Sequence, residues 1–111
     1  MKRLLAIALA CAAGLSALPA FAQDTIAKVK EKGVLTVGVK NDYKPWGFLE
    51  PSGKIVGLEI DLAQAVADKL GVKLEMLPVI AANRMEFLKQ GRIDMVLATM
   101  GNTAERRKIV G

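Results

Sequence analysis

Ala98-Thr99-Met100-Gly101-Asn102-Thr103 leads from an apolar run into what reads as a helix start, with Arg106 on the first turn. Backbone N–H groups at such a start favour an anion. A guanidinium folded back over the same spot holds a planar carboxylate in two parallel hydrogen bonds. Gly101 leaves the backbone open to close approach, and Thr99 adds a hydroxyl. The segment therefore reads as a carboxylate site. The plainer alternative is that Arg106-Arg107-Lys108 forms only a charged helix face. A second segment, Asn41-Asp42-Tyr43-Lys44-Pro45-Trp46, sets two aromatic rings around a proline bend. Aromatic faces hold an apolar side chain or an ammonium group. On the residues alone, Tyr43 is assigned to the site and Trp46 to covering the core.

Other chemistries are excluded by composition. The chain has no His and a single Cys, Cys11. No imidazole is available as a catalytic base or metal ligand, and no disulfide can close within the chain. No catalytic residue, metal site or cofactor is assigned. The 16 Lys and Arg outnumber the 11 Asp and Glu, but they are scattered, with no basic stripe interleaved with aromatics. Nucleic acid is therefore not expected as a partner.

Residues 1–22 read as an export signal rather than as fold. Met1-Lys2-Arg3 is a basic start, Leu4 to Leu18 is almost wholly apolar, and Ala20-Phe21-Ala22 offers small residues where a signal peptidase reads. The apolar run is short for a membrane span of roughly 20 residues. Cys11 lies inside that run and reads as a small apolar filler rather than a lipidation site. Residues 23–111 then form the folded part. They contain no cysteine, which suits an oxidising compartment.

The elements that must position the two loops alternate. A helix is expected over 24–32, capped by Asp24 and stopped by Gly33. A strand follows over 34–39, then the aromatic loop. Segments 47–50 and 54–58 flank Pro51-Ser52-Gly53 as a hairpin. In 59–70, Ala63, Val66, Ala67 and Leu70 repeat at helical spacing, and Gly71 ends the helix. A strand is expected over 72–79. A helix from Asn83, with Glu86 in capping-box-like spacing, runs to Gln90 and stops at Gly91. A buried-type strand covers 93–98, and Thr103 caps a last helix over 104–110. This order predicts an α/β fold with a mostly parallel sheet and flanking helices. Ligands of such sheets lie beyond the carboxyl ends of the strands, where both loops fall.

Several phrases in order then carry a family resemblance. They are Gly33-Val34-Leu35-Thr36-Val37-Gly38-Val39, Tyr43-Lys44-Pro45-Trp46-Gly47-Phe48, and Gly53 through Ala63 with Gly57-Leu58-Glu59-Ile60-Asp61. Leu70-Gly71-Val72, Leu88-Lys89-Gln90-Gly91-Arg92-Ile93-Asp94 and Thr103-Ala104-Glu105-Arg106 complete the set. From Gly33 to Arg107 the chain resembles the periplasmic solute-binding proteins of polar-amino-acid ABC transporters, family 3 of the bacterial extracellular solute-binding proteins.

The resemblance implies two α/β lobes of the type II periplasmic-binding-protein kind, closing on one amino acid. It implies that Arg106 holds the ligand α-carboxylate, while Thr99 and the backbone at Ala98 and Gly101 contact the α-amino and α-carboxylate groups. Tyr43 would line the side-chain pocket, with Trp46 at its edge. Asp61 and Asp94 would be structural. Gly101 departs from the pattern, because many relatives carry Ser or Thr there. In acidic-amino-acid binders a basic residue at similar positions reads the side-chain carboxylate, so Arg84 and Lys40 imply an acidic or polar ligand. The preferred alternative leaves both in solvent.

The implied protein is a monomer that delivers its amino acid to an inner-membrane permease. It is not an enzyme, although periplasmic dehydratases, lytic enzymes and receptor sensor domains share the fold. Family members usually exceed twice this length. Residues 23–111 are therefore expected to be an incomplete first lobe that binds amino acids weakly or not at all by itself.

Overall fold

Val34 to Val39 is apolar at nearly every position, the pattern of a strand covered on both faces. In the computed structural model, which describes residues 21–110, it is the central strand of a parallel sheet. The chain runs α1 (Phe21–Lys32), β1 (Val34–Val39), β2 (Asp42–Tyr43), β3 (Gly47–Leu49) and β4 (Ile55–Val56). It continues with α2 (Leu58–Leu70), β5 (Lys73–Pro78), α3 (Arg84–Lys89), β6 (Met95–Leu97) and α4 (Ala104–Ile109). The main sheet has the order β5-β1-β6. Val34 pairs with Lys73 through to Val39 with Pro78 on one side, and Val37 to Val39 pair with Met95 to Leu97 on the other. The predicted α/β order and parallel sheet are therefore present.

Successive residues of β1 point to opposite faces. Leu35, Val37 and Val39 pack with Ile60, Ala63 and Ala67 of α2, and Val29 of α1 joins the same buried cluster. On the other face Gly38 leaves room for Ile93 and Val79, whose atoms would stand 2.7 and 3.1 Å from a Cβ at that position. Val79, Ile93 and Ala98 form a second cluster with Phe87 and Leu88 of α3. Asp94 fixes the start of the last strand. Its Oδ2 accepts the Thr36 N–H at 2.9 Å and pairs with Lys32 Nζ at 3.3 Å, and its own N–H donates to the Thr36 carbonyl at 2.7 Å. That is the structural role expected of it.

Several boundaries differ from the sequence reading. The first helix begins at Phe21, ahead of the expected cap Asp24. Residues 1–20 of the expected export signal lie outside the described residues. The aromatic loop contains the short strand β2, which extends the expected hairpin into a second, antiparallel sheet of order β2-β3-β4. Gly71 ends α2 in the left-handed conformation, φ 73°, and its N–H donates back to the carbonyls of Ala67 and Asp68. Asn83 stands at the cap position of α3, but its Oδ1 accepts from the Ile80 N–H at 2.9 Å instead of capping the helix. The turn before the helix has taken the side chain that the capping-box reading required. Among the described residues no helix is long and apolar enough to cross a membrane.

Candidate functional site

The aromatic loop is fixed by the start of α2. The N–H groups of Leu58 and Glu59 donate to the carbonyls of Pro45 and Trp46 at 3.0 and 2.8 Å. Two donors that a helix leaves without internal partners are thereby satisfied. This approach requires glycine at 57: its φ is 136°, and a Cβ there would fall against the Trp46 carbonyl oxygen. The Trp46 backbone thus has the structural role, while the residue is 38% exposed and belongs to neither core cluster, contrary to the expectation that it covers the core.

The carboxyl end of β6 is held by two buried charges. Arg84 Nη1 donates to the Ala98 carbonyl at 2.7 Å, and the Thr99 N–H donates to Glu59 Oε1 at 2.8 Å. Arg84 is 8% exposed and Glu59 is 9% exposed. Thr99 itself is exposed, with φ at 50°, a conformation uncommon for a β-branched residue. Its hydroxyl donates to the Ala98 carbonyl at 2.6 Å. A hydroxyl has one proton, so Thr99 Oγ1 presents only acceptor lone pairs outward.

Beyond Thr99 the chain turns into α4. Thr103 caps it, accepting from the Arg106 N–H at 3.2 Å as expected. The Arg106 guanidinium folds back, and its Nη1 donates to the Gly101 carbonyl at 2.9 Å. Arg106 is half-buried, while the other helical positions from Ala104 to Ile109 are exposed. Arg107 turns elsewhere, bonding Asn102 Oδ1 at 2.9 Å. The two arginines therefore differ in role: one lies over the Gly101 backbone and the other braces the loop.

The predicted residues fall into groups. Ala98 and Thr99 are joined to Arg84 by hydrogen bonds, and Gly101 is joined to Arg106. Trp46, Ala98 and Thr99 also line an open recess of about 310 Å³ with Leu58, Leu62 and Met100. Tyr43 is not among its lining residues and stands 51% exposed on β2. A larger groove of about 840 Å³ lies against β6 near α1 and residues 109–110, and no predicted site residue lines it. The preferred reading of Arg84 and Lys40 as solvated is corrected. Arg84 is buried because Ala98 O supplies a partner for its charge-bearing N–H. The Lys40 side chain is 15% exposed and pairs with Asp42 Oδ1 at 3.2 Å.

Glu59 was not among the predicted residues. The signal for it was present: stepping back four from Ala63 along the apolar face of α2 lands on Glu59. A charged residue on a buried stripe requires a partner inside. Glu59 and Asp61 both stand in the first turn of α2, where acidic residues also suit the helix dipole.

The chain is also similar to known proteins in sequence and in fold. Residues 35–111 match the family model described as bacterial extracellular solute-binding proteins, family 3. A glutamine-binding protein of Geobacillus stearothermophilus is 38% identical over 78% of this chain and 35% of its own. A cyclohexadienyl dehydratase of Pseudomonas aeruginosa is 34% identical over 91% of this chain and 38% of its own. Among solved structures, the arginine-bound form of domain 1 from the T. maritima arginine-binding protein TmArgBP superposes with a TM-score of 0.70. It is 34% identical over 73% of this chain and 64% of that domain. The chain belongs to family 3 of the bacterial extracellular solute-binding proteins, and its fold is part of a type II periplasmic-binding-protein domain. It spans little more than a third of the length of those two curated relatives. They include a binding protein and an enzyme.

Proposed function

We propose that this chain forms the part of a polar-amino-acid binding protein that grips the ligand's α-carbon groups. Arg106 holds the α-carboxylate, the Thr99 hydroxyl accepts from the α-ammonium, and Gly101 contributes its backbone. Tyr43 and Trp46 flank the ligand side chain. The observation that carries this reading is the half-buried Arg106 guanidinium lying on the Gly101 backbone, close in sequence to an exposed Thr99 whose hydroxyl can only accept. A cation and an acceptor carried on one short segment are complementary to a zwitterion. We further propose export by residues 1–22 to the periplasm and delivery to an ABC permease.

The acidic-ligand reading loses its main support, because Arg84 is committed to Ala98. A neutral or polar side chain suits the site better. One relative speaks for binding by a single lobe. The domain 1 structure from TmArgBP is an arginine-bound form, and this chain covers 64% of it.

The test is calorimetric titration of the protein with glutamine, arginine, cystine, glutamate and aspartate. Binding to at least one of the first three, lost in Arg106→Ala, is the expected result. Tightest binding to glutamate or aspartate would restore the acidic reading. No binding to any of the five, with turnover of a cyclohexadienyl substrate, would establish the enzyme reading that the dehydratase relative represents.

A further inference from the structure

The Ala98–Thr99 peptide is held at both edges by opposite charges. Its carbonyl receives the Arg84 guanidinium at 2.7 Å, and its N–H is received by the Glu59 carboxylate at 2.8 Å. The C=O and N–H of a trans peptide point in opposite directions, so the two side chains grip from opposite sides. The charges also match the peptide dipole, with the cation on the partial negative oxygen and the anion on the partial positive hydrogen. No ion pair joins Arg84 to Glu59 among the described residues, so each buried charge is compensated by this peptide rather than by the other. Glu59 Oε2 and Arg84 Nε remain buried without partners. Two groups that are costly to bury thus converge on a single peptide, at the one non-glycine residue with positive φ among those described.

We propose that Glu59 and Arg84 are positioning residues for ligand recognition. By fixing both edges of the Ala98–Thr99 peptide they hold Thr99 in its left-handed conformation. The Ala98 carbonyl is thereby aimed at the Thr99 hydroxyl, which spends its only proton there. The outward face of that hydroxyl is then an acceptor, matched to an ammonium group and mismatched to a carboxylate. The pair selects the ligand's amino group without touching it. This inference rests on the proposed amino-acid binding and adds the residues that set its polarity.

The experiment is a double-mutant cycle on the full chain, read by calorimetry with whichever amino acid binds in the panel above. Glu59→Ala is expected to weaken binding about tenfold, the scale of one charge-assisted hydrogen bond. Thr99→Val is expected to weaken it similarly. In the double variant the losses are expected not to add, because Glu59 acts through Thr99. Glu59→Gln, which keeps an acceptor for the Thr99 N–H, is expected to stay within about threefold of the parent protein. The des-amino analogue of the ligand is expected to bind the parent and Glu59→Ala equally. A purely structural role would weaken both ligands alike. If Glu59→Ala does not fold, Arg84→Gln releases the other edge of the same peptide and carries the same cycle. Additive losses, or equal losses for the ligand and its des-amino analogue, would overturn the inference. A protein that binds, loses binding in Arg106→Ala and is unaffected in Glu59→Ala overturns this inference alone. A protein that binds no amino acid overturns the proposed function as well.

Discussion

The two ends of the Ala98 to Arg106 segment are held in opposite ways. At Ala98–Thr99 the backbone is clamped by two side chains that are each less than a tenth exposed. At Gly101–Arg106 one hydrogen bond joins a half-buried arginine to an open carbonyl, and the short helix behind it has no buried residue. The first end is built for fixed geometry. In the proposed reading, the second end carries a side chain that releases its own backbone contact and takes a ligand's carboxylate. A recognition site needs both: a rigid element that sets polarity and an adjustable cation that supplies attraction.

Breaking the rigid end should cost the fold. Arg84→Met removes the guanidinium from the Ala98 carbonyl, so the Ala98–Thr99 peptide is gripped only at its Glu59 edge. Destabilisation of about 3 kcal/mol is expected, the upper end for a buried hydrogen bond to a charged group. Chemical denaturation with an unchanged slope would measure it. A loss below about 0.5 kcal/mol, the range of ordinary surface substitutions, would erase the distinction between the two ends. Breaking the adjustable end should cost binding instead. Arg106→Ala is expected to leave stability within about 0.5 kcal/mol. It is expected to weaken ligand binding by about 2 kcal/mol, roughly thirtyfold, because hydrogen bonds to a charged group are at stake. A matching thermal transition beside a collapsed calorimetric affinity is the expected pair of results.

Thr103→Ala acts between these two. It removes the hydroxyl that accepts the Arg106 N–H, and an N-cap deletion costs about 1 kcal/mol. Because α4 is only six residues long, the loss should appear as local fraying. Faster amide hydrogen exchange over 104–109 is expected, with the rest of the chain unchanged. Affinity should fall only a few-fold, since the variant loosens Arg106 without deleting it. Exchange that accelerates across β1 as well would mean that the open end is coupled to the sheet after all.

The difference between the two ends also explains what was legible in the sequence. Arg106, Thr103 and Gly101 could be named because capping and anion-binding patterns are local, set by spacing within one turn. Strand β1 was placed at its observed bounds for a similar reason: Val34, Thr36, Val37 and Val39 are β-branched, and the run is bounded by Gly33 and Lys40. The clamp was not legible in that way. Glu59 and Thr99 are 40 residues apart, and Arg84 and Ala98 are 14 apart, so neither pairing follows from local spacing. Periodicity still left a trace. Arg84 lies three and four residues before Phe87 and Leu88, on the apolar side of α3, and Glu59 lies four before Ala63. Reading Arg84 as solvent-facing treated it by residue type rather than by position on the helix. The short strand β2 was missed for another reason. Its two residues are exposed, and their pairing with Gly47 and Phe48 depends on the turn through Pro45. Tyr43 carries the same lesson, because its place on that strand sets it apart from the recess that Trp46 lines.

The smallest expected effect is a gain, and it probes the adjustable end directly. Gly101 does not have positive φ, and a Cβ built there would meet only Arg106 Nη1, at 3.5 Å, an ordinary contact. Serine therefore fits without strain, and stability should move by less than about 0.5 kcal/mol. Its hydroxyl would stand beside the guanidinium, near the proposed position of the ligand carboxylate. One added neutral hydrogen bond is worth about 0.5–1.5 kcal/mol, so Gly101→Ser should tighten binding by roughly two- to tenfold. The same substitution in an Arg106→Ala background should give no gain, because the carboxylate is then no longer held against position 101. A gain that survives without Arg106 would place the ligand's carboxylate elsewhere, and with it the functional end of this segment.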